Sequence, residues 1–279
     1  MKKPLPDSNK DPFQRNIGLI NEDQQSRLLN SKVLICGVGG MGGVCAEVLV
    51  RLGIGHLILA DHDFFELSNF NRQIHSNIES VGRNKAEVLA EEFIKINPNL
   101  QVKANSKGIT QENVEELLTF VDVVVNGMDK MKSSLILERR ARALGKPIVD
   151  AWLTPYASVF VSQGNSVHWE EYLQLPTSGV SLENLSPKLC QEAVAKEVSY
   201  TFSHGDPYKY VDRETIKKVV EDRIPRPSLA PVVWLSGVLM ANEAFKLIVG
   251  LPTTNHIGII YDQYEHRILL REKPNERKT

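Results

Sequence analysis

Three cysteines in 279 residues, aromatic side chains at 7% and a net charge of −1 are what this sequence has little of. Cys36, Cys45 and Cys190 form no Cys-x-x-Cys pair, so no zinc is expected and no disulfide framework can be drawn. A sparse, odd set of thiols fits a reducing compartment. The near-zero charge gives no global field for nucleic acid. No apolar run approaches about 18 residues, the length needed to span a bilayer. The first dozen residues, MKKPLPDSNKDP, lack the apolar stretch of a signal peptide and read as a polar arm. The expectation is a cytoplasmic protein with no membrane partner.

What is present is ordinary globular composition, with 42% hydrophobic and 24% charged residues, arranged in a clear order. A polar helix over Glu22–Leu29 precedes an apolar strand over Lys32–Cys36. A helix with Val44, Val48, Leu49 and Leu52 on one face follows, then a strand over His56–Ala60 ending at Asp61. Helices near Asn84–Ile96, Gln111–Leu118 and Ser133–Leu144 alternate with strands near Leu100–Ala104, Val121–Val125 and Pro147–Val149. Such alternation predicts a Rossmann-like α/β fold, a mostly parallel sheet with helices on both faces. Residues 163–230 break the pattern. They are polar and weakly periodic, with possible helices at Pro187–Val198 and Arg213–Asp222. A helix over Val232–Val249 and short strands over His256–Tyr261 and His266–Leu270 close the chain. The expected layout is an N-terminal arm and helix (1–30), a nucleotide-binding core (31–162), a polar insertion (163–230) and a C-terminal helix with strands (231–279) that completes the same domain.

Chemistry gathers first in the loop Gly37-Val38-Gly39-Gly40-Met41-Gly42, which lies between a buried strand and a helix. There Gly37 makes the tight turn, Gly39 and Gly40 let backbone approach phosphate, and Gly42 lets the helix pack closely. The helix N-terminus offers free N–H groups to an anion. Asp61 ends the next strand, where a carboxylate can accept ribose hydroxyls. The loop alone says nucleotide, and an NAD-dependent oxidoreductase remains open at this point. Beyond it stand Asp63, Ser68, Asn69, Arg72, Gln73 and Lys85. A dinucleotide needs no such cations, whereas a triphosphate calls for cations and magnesium.

The set Asp-x-Asp, Ser-Asn-x-x-Arg-Gln and Lys resembles the ThiF/MoeB/HesA family, which is similar to ubiquitin-activating enzymes. The resemblance covers Phe13 to about Val161 and resumes from Leu229 to about Arg271. It implies an ATP-dependent adenylyltransferase that activates a carboxylate, the C-terminus of a ubiquitin-like sulfur-carrier protein or a peptide, as an acyl-adenylate. It also implies that Arg15, in Gln14-Arg15-Asn16-Ile17, reaches into a neighbouring subunit's ATP site, so a homodimer is expected. Asp129 matches the family's Mg2+-holding aspartate. Arg15, Arg72, Lys85 and Asp129 are then the catalytic candidates, with Asn69 orienting the phosphates and the glycine loop and Asp61 holding the nucleoside.

Departures from the family touch the substrate more than the nucleotide. Both Cys-x-x-Cys pairs of its zinc-binding members are missing, and Arg223 stands where thioester-forming members carry a cysteine. Lys130 follows Asp129 in place of asparagine, and Ser134 replaces an arginine. Two further readings stay open. Asn71-Arg72-Gln73-Ile74-His75 is similar to the tRNA threonylcarbamoyladenosine dehydratases, which would make tRNA a partner. A non-catalytic subunit of a heterodimer is opposed by the intact Arg, Lys and Asp set.

Overall fold

In the computed structural model the described residues are 11–151, 155–164, 166–254 and 258–270. Residues 1–10 of the polar arm expected over the first dozen residues, and the start of the strand expected at His256, lie outside them. The chain opens with α1 (Glu22–Asn30), started by a capping box in which the Asn21 side chain accepts from Gln24 N–H. It then alternates β1 (Lys32–Cys36), α2 (Gly40–Leu52), β2 (His56–Ala60), α3 (Lys85–Ile96), β3 (Gln101–Asn105), α4 (Val114–Thr119), β4 (Val123–Asn126), α5 (Met131–Ala143) and β5 (Ile148–Asp150). These five strands run parallel in the order β3-β2-β1-β4-β5. Three antiparallel strands extend the same sheet: β6 (Ala157–Ser162), β7 (Ile259–Asp262) and β8 (Arg267–Leu270).

Alternation along the central strands explains the two covered faces. Val33, Ile35, Val123 and Val125 pack with α2 and α3, whereas Leu34, Cys36 and Val124 face a second core with Leu117 and Leu118 of α4 and Ile136 and Leu137 of α5. The expected Rossmann-like architecture is present. β1 has β2 on one side and β4 on the other, so the strand order reverses beside it. A crevice at the carboxyl ends of the strands belongs at that reversal.

The later part of the chain fills out what the sequence indicated. Within residues 163–230 lies a folded lobe of α6 (Trp169–Tyr172), α7 (Pro187–Phe202) and α8 (Arg213–Val220), the last two at the helices expected over Pro187–Val198 and Arg213–Asp222. Trp169, Leu173, Leu185, Ala193 and Tyr200 pack there with Tyr156, Phe160 and Ile260 from the extended sheet. Arg139 on α5 clamps the lobe, meeting both carboxylate oxygens of Glu170 at 2.7 and 2.8 Å and the Thr177 and Val180 carbonyls. The helix expected over Val232–Val249 is α9 (Ala230–Val249). At 20 residues with mean hydropathy 1.6 it is long and apolar enough to cross a membrane. It is instead half buried in the protein, with Val233, Met240, Ala241 and Ala244 in the same core as Leu49 of α2. Asn242, Glu243 and Lys246 interrupt its apolar run in the sequence; Glu243 is buried and pairs with Lys246 at 2.7 Å.

Candidate active site

The cleft at the reversal encloses about 610 Å³, within the size range of small-molecule sites. Gly37 turns at φ +77°, and a Cβ there would meet the Gly127 backbone at 2.7 Å. A Cβ on Gly42 would come within 1.9 Å of the Gly37 carbonyl oxygen, so no larger residue fits at that point. These close approaches aim the start of α2 into the cleft. Its N-cap, Gly39, supplies no side-chain acceptor, so the first N–H groups of this 13-residue helix lack a cap and suit an anion.

Asp61 sits at the end of β2, 7% exposed. Its two oxygens accept from Val38 N–H at 2.8 Å and Asp63 N–H at 2.9 Å, leaving a second lone pair on each for a ligand hydroxyl. Burial pushes its pKa up, opposed by those backbone bonds and by the charge of Lys85. Asn84 caps α3 and donates to the carbonyls of Asp61 and Asp63, which fixes the chain after β2 against α3. Lys85, the first residue of α3, is 6% exposed and pairs with Asp63 at 3.0 Å. It is a charge held in place, not a solvated helix lysine.

Arg72 lies on a turn tied to α9 by Trp234 Nε1 donating to the Arg72 carbonyl at 2.8 Å and by Asn71 donating to the Ser228 carbonyl at 2.9 Å. Its guanidinium donates to the Ser68 carbonyl and to Asn71 Oδ1. Gln73 is buried beside Gly39, and its Oε1 has no donor, an orphan polar atom on the cleft wall. Asp129 is exposed at the cleft, just before α5.

Gly37, Gly39, Gly40, Asp61, Asp63, Arg72, Gln73, Lys85 and Asp129 therefore line one cavity. Four of the anticipated residues do not. Gly42 acts behind the loop, as a packing position. Ser68 and Asn69 belong to a short 3-10 turn, where Asn69 Oδ1 accepts from Glu66 N–H and Ser68 Oγ donates to Glu66. Their side chains serve that turn because Asn69 is buried in it.

Arg15 is the fourth. It is exposed on a 3-10 turn, Gln14–Asn16, held at the opposite end of α2. A Cβ on Gly53 would touch the Phe13 ring at 3.0 Å, and Asn16 donates to the Leu52 carbonyl at 3.1 Å. The segment is anchored, contrary to the expectation of a loose arm. The 13 residues of α2 put roughly 20 Å between that end and the glycine loop.

Metal ligands and thiols complete the inventory. Asp129 is exposed to the cleft beside the phosphate loop, and among the described residues no hydrogen bond to its carboxylate is found, so it suits Mg2+. Asp61, His62 and Asp63 also bring ligand atoms within 4.8 Å of one another. There, however, Asp61 serves the backbone and Asp63 serves Lys85. Cys36 and Cys45 are buried, and burial pushes both thiols well up. Cys190 reaches the cleft wall from α7. Burial raises its pKa too, opposed by Lys132, which leaves it a poor thiolate.

Sequence reasoning missed the insertion's share of the wall, including Lys188, Gln191 and Arg226. Arg226 stands between Pro225 and Pro227, a run that cannot be helical and that could have marked it as a fixed loop position. Also missed was a buried acid pair behind the cleft. Burial pushes Asp150 up to about 7, against hydrogen bonds from Ala151, Glu138 and Asn126; burial and the Asp150 charge push Glu138 up as well.

Comparison with known proteins adds the family. The ThiF family matches residues 13–278. The tRNA threonylcarbamoyladenosine dehydratase of Bacillus subtilis (strain 168) is 27% identical over 247 residues, covering 83% of this chain and 92% of that protein. The sulfur carrier protein ThiS adenylyltransferase of Escherichia coli (strain K12) is 36% identical over 129 residues, 46% of this chain and 51% of that protein. The chain thus spans about half the length of that adenylyltransferase. Among solved structures, E. coli MccB with ATP superposes with a TM-score of 0.70 at 22% identity, over 95% of this chain and 72% of that one, which shows a shared fold.

Proposed function

Because the chain belongs to the ThiF family, we propose that it is an adenylyltransferase that activates a carboxylate with ATP, releasing pyrophosphate. The substrate is the C-terminus of a peptide or a small ubiquitin-like carrier protein. One observation carries this reading: uncapped α2 N–H groups, Arg72, Lys85 and Asp129 all face one cleft with Asp61. The substrate carboxylate attacks the α-phosphate, its oxygen forms the new P–O bond, and the bond to pyrophosphate breaks. Charge grows on the leaving phosphates. Fixed cations already in position lower that barrier without reorganising. Asp129 would hold Mg2+, which would neutralise charge on the leaving pyrophosphate.

A homodimer is part of the proposal, with Arg15 supplying one cation to the partner's cleft. Its distance from its own glycine loop supports this, as does the apolar surface near both ends of such a contact. Ile17 and Leu19 flank Arg15 at 42% and 92% exposure, and Phe64, Leu67 and Ile78 are exposed beside the Arg72 turn. Exposed large apolar side chains suit protein contact, and a two-fold contact would use both groups twice.

A second reading, dehydration of a threonylcarbamoyl group on tRNA through the same adenylate, is favoured by the near full-length match to the B. subtilis enzyme. ATP–pyrophosphate exchange separates the two. Exchange stimulated by peptides or carrier proteins, and not by tRNA, is the expected outcome. Stimulation by tRNA alone would replace the first reading with the second.

A further inference from the structure

Between β2 and α3 the chain runs from Asp61 to Asn84 with only a short 3-10 turn, Leu67–Asn69, in it. Arg72 and Gln73 sit midway, where no helix or strand holds them. The segment packs there on the start of α2. A Cβ on Gly40 would stand 3.5 Å from the Arg72 carbonyl oxygen, and one on Gly39 would stand 3.4 Å from the Gln73 amide nitrogen. Two residues on, His75 Nε2 meets Glu47 Oε2 of α2 at 3.2 Å, with the side chains only 15% and 12% exposed. Neither atom has any other hydrogen-bond partner among the described residues. The imidazole also stands edge to face against Phe93 of α3, with ring centroids 5.4 Å apart. His75 thus joins the segment to both flanking helices. Its contact with Glu47 is the one ion pair between the segment and α2 among the described residues.

We propose that His75 is a positioning residue: its positive charge, held by Glu47, sets the Arg72–Gln73 turn against the glycine loop and so places Arg72 for the phosphates. The inference rests on the triphosphate reading of the cleft. A buried carboxylate gains more from a charged imidazole than from a neutral one, because the low dielectric strengthens the attraction. The contact with His75 holds the Glu47 carboxyl below the usual carboxylate range, against its burial and with help from Arg51. Glu47 is then ionised through neutral pH, and the imidazole is the partner whose charge changes there. Arg51 also meets Glu47, at 2.5 Å, but it is 62% exposed and screened by water. Phe93 brings no charge from α3. The bonds that tie the same turn to the far wall, Trp234 to the Arg72 carbonyl and Asn71 to the Ser228 carbonyl, are between neutral groups and do not vary with pH. The tether to α2 is therefore full in mild acid and slackens as pH rises.

The test is calorimetric titration of the full chain, wild type and His75→Gln, with ATP and Mg2+ and separately with AMP, at about pH 6 and about pH 9. Glutamine keeps an N–H donor and cannot become charged. ATP should bind the variant about tenfold more weakly at the lower pH, the scale of a charged against a neutral hydrogen bond, and about equally at the higher. AMP has no β- or γ-phosphate for Arg72 to reach, and should bind both proteins alike at either pH. Glu47→Gln should reproduce the pattern without altering the imidazole, and it replaces His75→Gln if that variant does not fold. The same ATP ratio at both pH values, or an equal loss of AMP binding, overturns the positioning role and makes the pair structural, with ATP binding left standing. No ATP binding by the wild type overturns the triphosphate reading itself, and this inference falls with it.

Discussion

The half of the molecule around β1, β2 and α3 and the lobe from α6 to α8 build opposite walls of one cleft by different means. On the nucleotide side every position is set by short-range backbone geometry. A glycine turn, an uncapped helix start and an N-capping asparagine put Asp61 and Lys85 where they are. On the lobe side the wall is assembled from side chains distant in sequence. The Arg139 clamp on Glu170 spans 31 residues, and its bonds to Val180 and Thr177 span 41 and 38. The first wall suits a ligand that does not vary, and the second can change its lining without disturbing the first. Fixed nucleotide chemistry and adjustable acyl recognition follow from that division.

The largest effects are expected on the nucleotide side. Lys85→Ala and Asp129→Ala should each slow pyrophosphate exchange by on the order of 10²-fold, the usual cost of removing one transition-state charge partner. Circular dichroism should show the fold intact. Near-normal exchange in either variant would make that residue structural and blur the contrast between the walls.

Next in size is the exchange of Arg15 between subunits. Arg15→Ala and Arg72→Ala should each be inactive as pure dimers. Randomly mixed, they should regain roughly a quarter of wild-type activity, since half the dimers are mixed and each holds one complete site. Mixed dimers without activity would show that Arg15 does not act in trans.

A smaller effect concerns the acid pair behind the lobe wall. Asp150 has a folded pKa raised to about 7, above the roughly 3.9 of an unfolded aspartate. The folded state therefore binds more protons between those values. The pair's contribution to stability is full below about pH 4 and is lost as pH rises through about 7. Asp150→Asn should flatten that decline in a series of thermal melts. An unchanged slope would mean that the buried pair does not control it.

The smallest expected effect is at Cys190. Cys190→Ser should retain adenylation and product formation, because a half-buried thiol with a raised pKa is a weak nucleophile. A thiol-sensitive conjugate between enzyme and substrate, abolished by this substitution, would move covalent chemistry onto the lobe.

The same contrast governs what could be read from sequence. The spans of β1 and β2 are those the apolar runs indicated, because period and glycine punctuation act locally. Nine of the expected nucleotide-site positions line the cleft for the same reason. Ser68 and Asn69 stand outside the cleft lining, in a turn that caps itself and looks, in sequence, like a polar loop reaching for a ligand. In the lobe the helices expected over Pro187–Val198 and Arg213–Asp222 are present as α7 and α8, but its packing was not legible. Leu173, Leu175, Leu185 and Tyr200 follow no helical or strand period, and they pack against Tyr156 and Ile260 from outside the segment. Nothing local to Trp169 signals that its N–H is left without an acceptor.

The central claim is that the cleft beside β1 is built for a triphosphate. Calorimetric titration of the purified chain with ATP and Mg2+, and separately with NAD, tests it most directly. Saturable binding of ATP, weakened by Lys85→Ala, with no heat from NAD, is the predicted result. Micromolar binding of NAD with none of ATP would contradict it.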